Sequence, residues 1–140
     1  MTNPGLTILI CDDEIHIRQI VAQKLAAFGF RVREARNGRE ALDAILGPEQ
    51  LRPRLIISDF QMPEVNGLDL CKQLKLTHGL ETTPVLMLTG RGYVLSADDL
   101  ALTNIQEVIP KPFGVRQLVE RVRALVGDAP LGDFRPGVAA

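Results

Sequence analysis

The sequence predicts an α/β domain in which a parallel sheet of five strands is covered by helices on both faces. Five short apolar segments alternate with five segments of helical periodicity along the 140 residues, which is the pattern of strands joined by crossover helices. Apolar segments such as residues 55–57 are continuous, as expected of strands that are buried on both faces. A single domain of this length can bury a sizeable core.

The boundaries of the elements follow from apolar periodicity and from turn residues. Strands are predicted at residues 6–11, 31–35, 55–59, 85–88 and 107–109. Helices are predicted at residues 15–28, 37–46, 68–76, 96–102 and 115–126, with Ser96 as the N-cap of the fourth. A single five-stranded doubly wound domain favours the flavodoxin-like strand order 2-1-3-4-5. The last strand then lies at an edge of the sheet, where Pro110 is tolerated.

The composition is that of an ordinary globular domain, with 46% hydrophobic and 24% charged residues. A net charge of −1 and the lack of a basic run argue against direct binding of nucleic acid. No signal peptide and no apolar run long enough to cross a membrane are present, so we expect a cytoplasmic location and no membrane insertion. Cys11 and Cys71 match no metal or redox spacing and are interpreted as buried small hydrophobes.

Polar side chains follow four of the predicted strands at the points where those strands end. They are Asp12 and Asp13 after the first strand, Asp59 after the third, Thr89 after the fourth and Lys111 after the fifth. In the order 2-1-3-4-5 these four strands are neighbours, and ligands of open α/β sheets bind outside the carboxyl ends of the strands. The five side chains are therefore expected to converge on one cleft.

Each residue type in this cleft has a chemical use. Carboxylate oxygens suit Mg²⁺, which is usually held by one or two carboxylates together with phosphate and water. Asp59 is a candidate nucleophile, because a carboxylate can accept a phosphoryl group as an aspartyl phosphate. Lys111 could bind a phosphoryl oxygen as a point charge, and the Thr89 hydroxyl could donate to another. Gly90 leaves room for a bulky oxyanion.

The motifs that carry a family resemblance stand in one order along the chain, namely Asp12-Asp13, Asp59, Met62-Pro63, Gly67, Thr89 and Lys111-Pro112-Phe113. In this order and at these spacings the chain resembles the receiver domain of bacterial two-component response regulators, of the stand-alone, chemotaxis-regulator-like kind. The resemblance implies a receiver domain over residues 1–127. Residues 128–140 are then expected to form a mobile C-terminal tail.

The resemblance implies a role for each motif residue. Asp59 would accept a phosphoryl group from a sensor histidine kinase or a histidine phosphotransfer protein. Asp13, Asp59 and the backbone carbonyl of Gln61 would bind Mg²⁺, with Asp12 acting partly through water. Thr89 and Lys111 would hold the phosphoryl oxygens. The Lys111-Pro112 peptide bond would be cis, as is usual in the family.

Three positions depart from the family pattern. Val108 stands where the family usually has an aromatic residue, so the aromatic rotamer switch is absent. We therefore expect the response of Thr89 to appear in residues 90–95 and in the short helix that follows. Residues 104–106 lack the Gly-Ala that often precedes the last strand. Gln61 occupies a position that tunes dephosphorylation in the family.

The first helix is predicted to bury an apolar stripe of Ile17, Ile20, Val21, Leu25 and Phe28. Ile15, Arg18, Gln19 and Ala22 are then expected on another face, near the acids. An apolar residue outside the core stripe suggests a protein contact. We therefore predict that Ile15 and Arg18 help to choose the kinase.

The function predicted from these residues is a phosphorylation-controlled switch. It is expected to act by contact with a downstream protein target or in a phosphorelay. It is not expected to be an enzyme, apart from self-phosphorylation and autodephosphorylation. The alternative is an aspartate-nucleophile phosphatase of the haloacid-dehalogenase type. Such an enzyme needs an acid two residues after the nucleophile, and Gln61 stands there. A nucleotide- or flavin-binding domain is disfavoured because no glycine-rich fingerprint follows the first strand.

Overall fold

The computed structural model describes residues 7–90 and 95–126. Its strands are Thr7–Cys11 (β1), Arg31–Ala35 (β2), Leu55–Asp59 (β3), Val85–Thr89 (β4) and Ile105–Pro110 (β5). Its helices are Ile15–Ala27 (α1), Gly38–Leu46 (α2), Gly67–Lys75 (α3), Ala97–Ala101 (α4) and Val115–Val126 (α5). All ten predicted elements are present, and β5 begins two residues before its predicted start. The predicted tail lies outside the described residues, as do residues 91–94 of the loop after β4.

The five strands form one sheet in the order β2-β1-β3-β4-β5, and all neighbours are parallel. This order confirms the predicted doubly wound architecture. Pro110 ends β5 at an edge of the sheet, where its missing N–H leaves no neighbouring strand unpaired. Cys11 pairs with Ser58, and Thr89 pairs with Pro110, so the carboxyl ends of the central strands lie close together.

The sheet separates two apolar cores. Alternate side chains of β1 and β3, such as Leu9 and Ile56, pack beneath α2 and α3. Their neighbours Ile10 and Ile57 point to the other face, where they pack with α1 and α5. This division follows from the period of two along a strand. Central strands covered in this way must be apolar on both faces, which explains their continuous sequence.

Both cysteines are buried and unpaired, as predicted. Burial raises the pKa of the Cys11 and Cys71 thiols to about 12, so both remain protonated and behave as small hydrophobes. Both histidines are exposed, which agrees with the lack of any predicted role for them.

The first helix is rotated relative to the sequence prediction. Its buried residues are Arg18, Val21, Ala22 and Leu25, whereas Ile20 is 52% exposed. The prediction that Ile20 lies in the core stripe and that Arg18 and Ala22 lie outside it is therefore wrong. The spacing of 18, 21, 22 and 25 is also helical, but it contains an arginine whose burial depends on partners elsewhere in the chain.

Three helices begin with side-chain caps that fix where the chain enters them. Asn37, Asn66 and Ser96 each accept a hydrogen bond from a backbone amide in the first turn of the following helix. Ser96 and Asp99 form a reciprocal capping box, which supports the five-residue helix α4. Among residues 7–90 and 95–126, no helix is both long enough and apolar enough to cross a lipid bilayer.

Candidate functional site

The ends of four strands meet at one cleft. Asp12 follows β1, Asp59 ends β3 and Thr89 ends β4, while Lys111 directly follows β5. Because Cys11 lies opposite Ser58, the next residues along the two chains, Asp12 and Asp59, become neighbours. Carboxylate oxygens of Asp12, Asp13 and Asp59 all lie within 4.8 Å of one another. The three aspartates thus lie together, as predicted, and Thr89 and Lys111 lie at the ends of the neighbouring strands, at the same edge of the sheet.

Lys111 lies at the centre of the acidic groups. Its Nζ atom is 2.7 Å from Glu14 Oε1, 3.2 Å from Asp12 Oδ2 and 3.4 Å from Asp59 Oδ2. Burial lowers the pKa of Lys111, but the hydrogen bond to Glu14 and the charges of Asp12 and Asp59 together raise it above its ordinary value. Lys111 is therefore fully protonated near neutral pH and is shared among three carboxylates.

The two aspartates beneath Lys111 carry more negative charge than one ammonium offsets. Burial, followed by the charge of Asp12, raises the pKa of Asp59 from 3.8 to about 6, although Lys111 and the Gln61 backbone amide lower it. Burial also raises the pKa of Asp12. Asp12 Oδ2 is fully buried and accepts no well-aligned hydrogen bond within the described part of the chain. The cleft is thus short of positive charge.

The carboxylate groups of this cleft are suited to binding Mg²⁺. Asp12 and Asp59 are buried and Asp13 is exposed, and the three carboxylates together offer the hard oxygen donors that Mg²⁺ prefers. The buried Oδ2 atom of Asp12 accepts no well-aligned hydrogen bond within the described residues. A bound cation, or a water molecule held by it, would supply the missing partner. The backbone amide of Gln61 donates to Asp59, which keeps the Gln61 backbone beside the acids.

Thr89 and Lys111 are joined through the backbone. Thr89 is buried at the end of β4, and its carbonyl oxygen accepts a hydrogen bond of 2.7 Å from the Lys111 amide. The Lys111-Pro112 peptide bond is cis, as the resemblance implied. Gly90 follows Thr89, and a Cβ atom added there would lie 3.4 Å from Gln61 Oε1. A side chain at position 90 would therefore make an ordinary van der Waals contact and no clash.

The loop after β3 is held against the site by a glycine. The Gly67 amide donates to the Phe60 carbonyl at 2.8 Å, and a Cβ atom at Gly67 would lie 2.5 Å from the carbonyl oxygen of Asp59. Only a residue without a side chain allows this close approach. Gly67 therefore sets the position of the loop that carries Gln61.

Two residues near the cleft were missed or misplaced by sequence reasoning. Arg18 donates from Nη1 to the Asp12 carbonyl at 2.9 Å and from Nε to Glu34 at 2.8 Å. Glu14 reaches Lys111 from the start of α1. The acidic run at residues 12–14 signals that Glu14 is close to the site, but no local pattern indicates its contact with a residue 97 positions away.

The raised pKa of Asp59 predicts that this carboxyl group removes stability from the metal-free protein as the pH rises from about 4 to about 6. In this window Asp59 binds a proton more strongly in the folded protein than in the unfolded chain, so its contribution to the free energy of unfolding falls with rising pH. We expect a fall of roughly 1–2 kcal/mol from Asp59, since the open cleft screens part of the full effect. Denaturant unfolding in chelator at pH 4.5 and 7 measures this contribution as a difference: between these two pH values the wild type should lose more stability, or gain less, than Asp59→Asn. Identical changes in the two proteins would contradict the assignment.

Comparison with known proteins identifies the family. The family model described as the response regulator receiver domain matches residues 8–123. Response regulator MprA of Mycolicibacterium vanbaalenii is 35% identical over 119 residues, which are 85% of this chain and 49% of the relative. Response regulator MprA of Mycobacterium avium is 34% identical over 121 residues, which are 86% of this chain and 51% of the relative. The chain spans about half the length of these curated relatives.

Solved structures agree with the family model. Chemotaxis response regulator CheY4 of Vibrio cholerae has a TM-score of 0.76 at 30% identity, over 86% of this chain and 98% of that chain. The receiver domain of Francisella response regulator 1452 has a TM-score of 0.74 at 27% identity, over 87% of this chain and 97% of that chain. The strand order, the acidic cleft and these matches lead to one conclusion: the chain belongs to the response regulator receiver domain family of two-component systems.

Proposed function

We propose that Asp59 accepts a phosphoryl group and that its phosphorylation switches the contacts this domain makes with other proteins. The observation that carries the proposal is the position of the Asp59 carboxylate. It lies at the end of β3, within 4.8 Å of the Asp12 and Asp13 carboxylates and 3.4 Å from Lys111 Nζ. A nucleophile, the donors for a cation and a fixed ammonium are thus gathered at one point.

In the proposed transfer, an Asp59 carboxylate oxygen attacks the phosphorus of the donor. A new P–O bond forms to Asp59 as the bond from phosphorus to the leaving group breaks, and the leaving group takes the electron pair. For a phosphohistidine donor, the leaving group is the imidazole nitrogen of the kinase or phosphotransfer protein. In this proposal Lys111, whose Nζ atom is 3.4 Å from Asp59 Oδ2, would hold one phosphoryl oxygen, and Thr89 at the end of β4 would donate to another.

Asp12, Asp13, Asp59 and the Gln61 backbone carbonyl are the groups that would hold Mg²⁺ in this proposal. The ion would supply charge neutralisation, which lets an anionic donor approach an acidic cleft. The residues themselves bring the oxygen donors together and keep Asp59 in place through the Gln61 amide. A phosphoryl group adds roughly two negative charges, which Lys111 and the cation would offset.

We propose a phosphoacceptor rather than an enzyme with a separate substrate. The family and the solved structures reported above are response regulators, so they give no support to the haloacid-dehalogenase alternative. The side-chain amide of Gln61 is also far too weakly acidic to serve as the general acid that such an enzyme needs at this position.

Membership of the family implies a histidine kinase partner, and a phosphotransfer protein is the second possible donor. A stand-alone role, a downstream protein target, a cytoplasmic location and the absence of nucleic-acid contacts stay predictions from sequence. The division into a receiver domain over residues 1–127 and a tail over residues 128–140 is likewise a proposal. The response of Thr89 through residues 90–95 and α4 also stays a prediction, since residues 91–94 lie outside the described residues.

The proposal predicts phosphorylation that depends on both Asp59 and Mg²⁺. Incubation with acetyl phosphate and Mg²⁺ should add one phosphoryl group to the wild type and none to Asp59→Asn, because the amide oxygen is a poor nucleophile. Intact-protein mass spectrometry measures the addition, and excess chelator should abolish it. Equal labelling of Asp59→Asn, or undiminished labelling in chelator, would refute the proposal.

We propose that exposed apolar residues of α1 form the surface that chooses the donor protein. Ile15 and Ile20 are 49% and 52% exposed on α1, and Ile20 lines a groove of about 190 Å³ together with Phe113 and Lys111. Arg18 is buried and cannot take part, so this half of the sequence-based prediction is wrong. We retain Ile15 as a kinase contact and add Ile20.

Replacing Ile15 and Ile20 together by alanine should slow phosphotransfer from the cognate kinase by about tenfold, because truncating a side chain that anchors a docking surface costs about 1 kcal/mol or more. Phosphorylation by acetyl phosphate should be unchanged, since the acidic cleft is intact. Leu76→Ala is the matched control, because it shortens an exposed apolar side chain at the far end of α3. Parallel loss of both activities would instead indicate damage to the cleft.

A further inference from the structure

Glu14 is the closest ion-pair partner of Lys111 within the described part of the chain. Its Oε1 atom lies 2.7 Å from Lys111 Nζ, whereas the nearest oxygens of Asp12 and Asp59 lie at 3.2 and 3.4 Å. The Glu14 side chain is 57% exposed, while those of Asp12 and Asp59 are buried. Lys111 is therefore held most closely by the carboxylate at the mouth of the cleft.

The backbone at Glu14 is fixed on both sides. Its amide donates to Asp12 Oδ1 at 2.8 Å, and its carbonyl accepts from the Arg18 amide at 3.0 Å. Glu14 occupies the N-cap position of α1, yet its side chain makes no capping hydrogen bond. The carboxylate is thus directed across the cleft to Lys111 rather than back to its own helix.

We propose that Glu14 is a positioning residue that holds the Lys111 ammonium at the mouth of the cleft in the unphosphorylated protein and competes with the phosphoryl group for it. The inference rests on the proposed phosphorylation of Asp59. An ammonium has three N–H donors, and three carboxylates already surround it. The contact with Glu14 is the shortest of the three, so phosphoryl oxygens on Asp59 bind the ammonium at full strength after Glu14 has released it. Glu14 therefore restrains phosphorylation in the resting protein.

The first test is the rate of phosphorylation by acetyl phosphate at saturating Mg²⁺. Glu14→Gln keeps the shape of the side chain but removes its charge, so Lys111 moves more readily to the phosphoryl group. We expect the rate to rise about threefold to tenfold, in keeping with the modest strength of an exposed ion pair. Glu120→Gln on α5 is the matched control, because it removes the same charge from an exposed residue outside the cleft and should leave the rate unchanged. An unchanged or lower rate in Glu14→Gln would overturn the inference.

Two phosphodonors separate this role from simple repulsion of the donor. If Glu14 acts through Lys111, Glu14→Gln should accelerate transfer by similar factors from acetyl phosphate, a dianion, and from phosphoramidate, which carries less negative charge. A gain confined to acetyl phosphate would show that the carboxylate repels the donor, and it would overturn the proposed role.

A second readout does not depend on phosphorylation. Reductive methylation of the metal-free protein, mapped by peptide mass spectrometry, should modify Lys111 faster in Glu14→Gln than in the wild type or Glu120→Gln. The two assays fail separately. If Lys111 is methylated faster in Glu14→Gln but the wild type accepts no phosphoryl group, the proposed function fails and the contact between Glu14 and Lys111 is supported. Equal modification of Lys111 in all three proteins would overturn the inference, whatever the phosphorylation assay shows.

Discussion

Replacing Arg18 by methionine is expected to lower the free energy of unfolding by about 2–4 kcal/mol. Arg18 is 6% exposed and donates to the Asp12 carbonyl at 2.9 Å and to Glu34 at 2.8 Å. Methionine keeps much of the apolar stem but leaves the buried carbonyl without a donor. Hydrogen bonds to charged groups contribute about 1.5–3 kcal/mol each, and an unpaired buried acceptor adds a desolvation cost.

Unfolding in urea measures this loss, and Arg39→Met supplies the comparison. Arg39 is exposed on α2, and its only described ion pair, with Glu64, is 4.0 Å long. Its replacement should change stability by less than about 0.5 kcal/mol. Equal, small changes in both variants would mean that Arg18 faces solvent, as the apolar pattern of α1 had suggested, and that the buried bridge to Asp12 is wrong.

Replacing Gly67 by alanine should destabilise the protein by about 3 kcal/mol and also slow phosphorylation about tenfold. The added Cβ atom would lie 2.5 Å from the Asp59 carbonyl oxygen, 3.0 Å from Phe60 Cα and 2.9 Å from Met87 Sδ. The methionine can move, but the two backbone atoms cannot yield without shifting the end of β3. That shift would displace the Asp59 carboxylate from the other groups of the cleft.

Gly114→Ala is the matched control for Gly67→Ala. Gly114 directly precedes α5, and a Cβ atom there meets nothing closer than Gln117 Cβ at 3.9 Å. Its carbonyl accepts the first hydrogen bond of α5, from the Leu118 amide, so the change should cost at most about 1 kcal/mol, the preference for glycine over alanine where a helix begins. Denaturant unfolding and the acetyl phosphate assay should therefore separate the two variants. If Gly67→Ala behaved like Gly114→Ala, the close approach of α3 to Asp59 would be incorrect.

The cleft could be predicted from the sequence because its parts follow from topology. Five alternating strands and helices fix a parallel sheet, and in a parallel sheet the strand ends collect on one edge. Asp12, Asp59 and Lys111 each stand directly at such an end, so their convergence needs no knowledge of packing. The structure adds distances and burial, from which the charge imbalance around Asp59 follows.

The contacts that sequence reasoning missed join residues of different elements or loops, from 6 to 97 positions apart along the chain. The burial of Arg18 requires Glu34 from the edge strand β2 and the carbonyl of Asp12, and no local pattern shows either. Glu14 meets Lys111 only because α1 and the loop after β5 lie side by side. Helical periodicity predicted that Ile20 is buried and that Arg18 is exposed on α1. The hydrogen bonds of Arg18 to other parts of the fold reverse this, so that Arg18 is buried and Ile20 is exposed.

The most direct test of the central claim is to locate the phosphoryl group. The protein is phosphorylated with acetyl phosphate and Mg²⁺ and then treated with borohydride, which reduces an aspartyl phosphate to homoserine. Peptide mass spectrometry should find homoserine in place of Asp59, and Asp12 and Asp13 should be unmodified, because Asp59 is the nucleophile of the proposed transfer. Reduction at Asp12 or Asp13 with Asp59 intact would contradict the assignment of the phosphoacceptor.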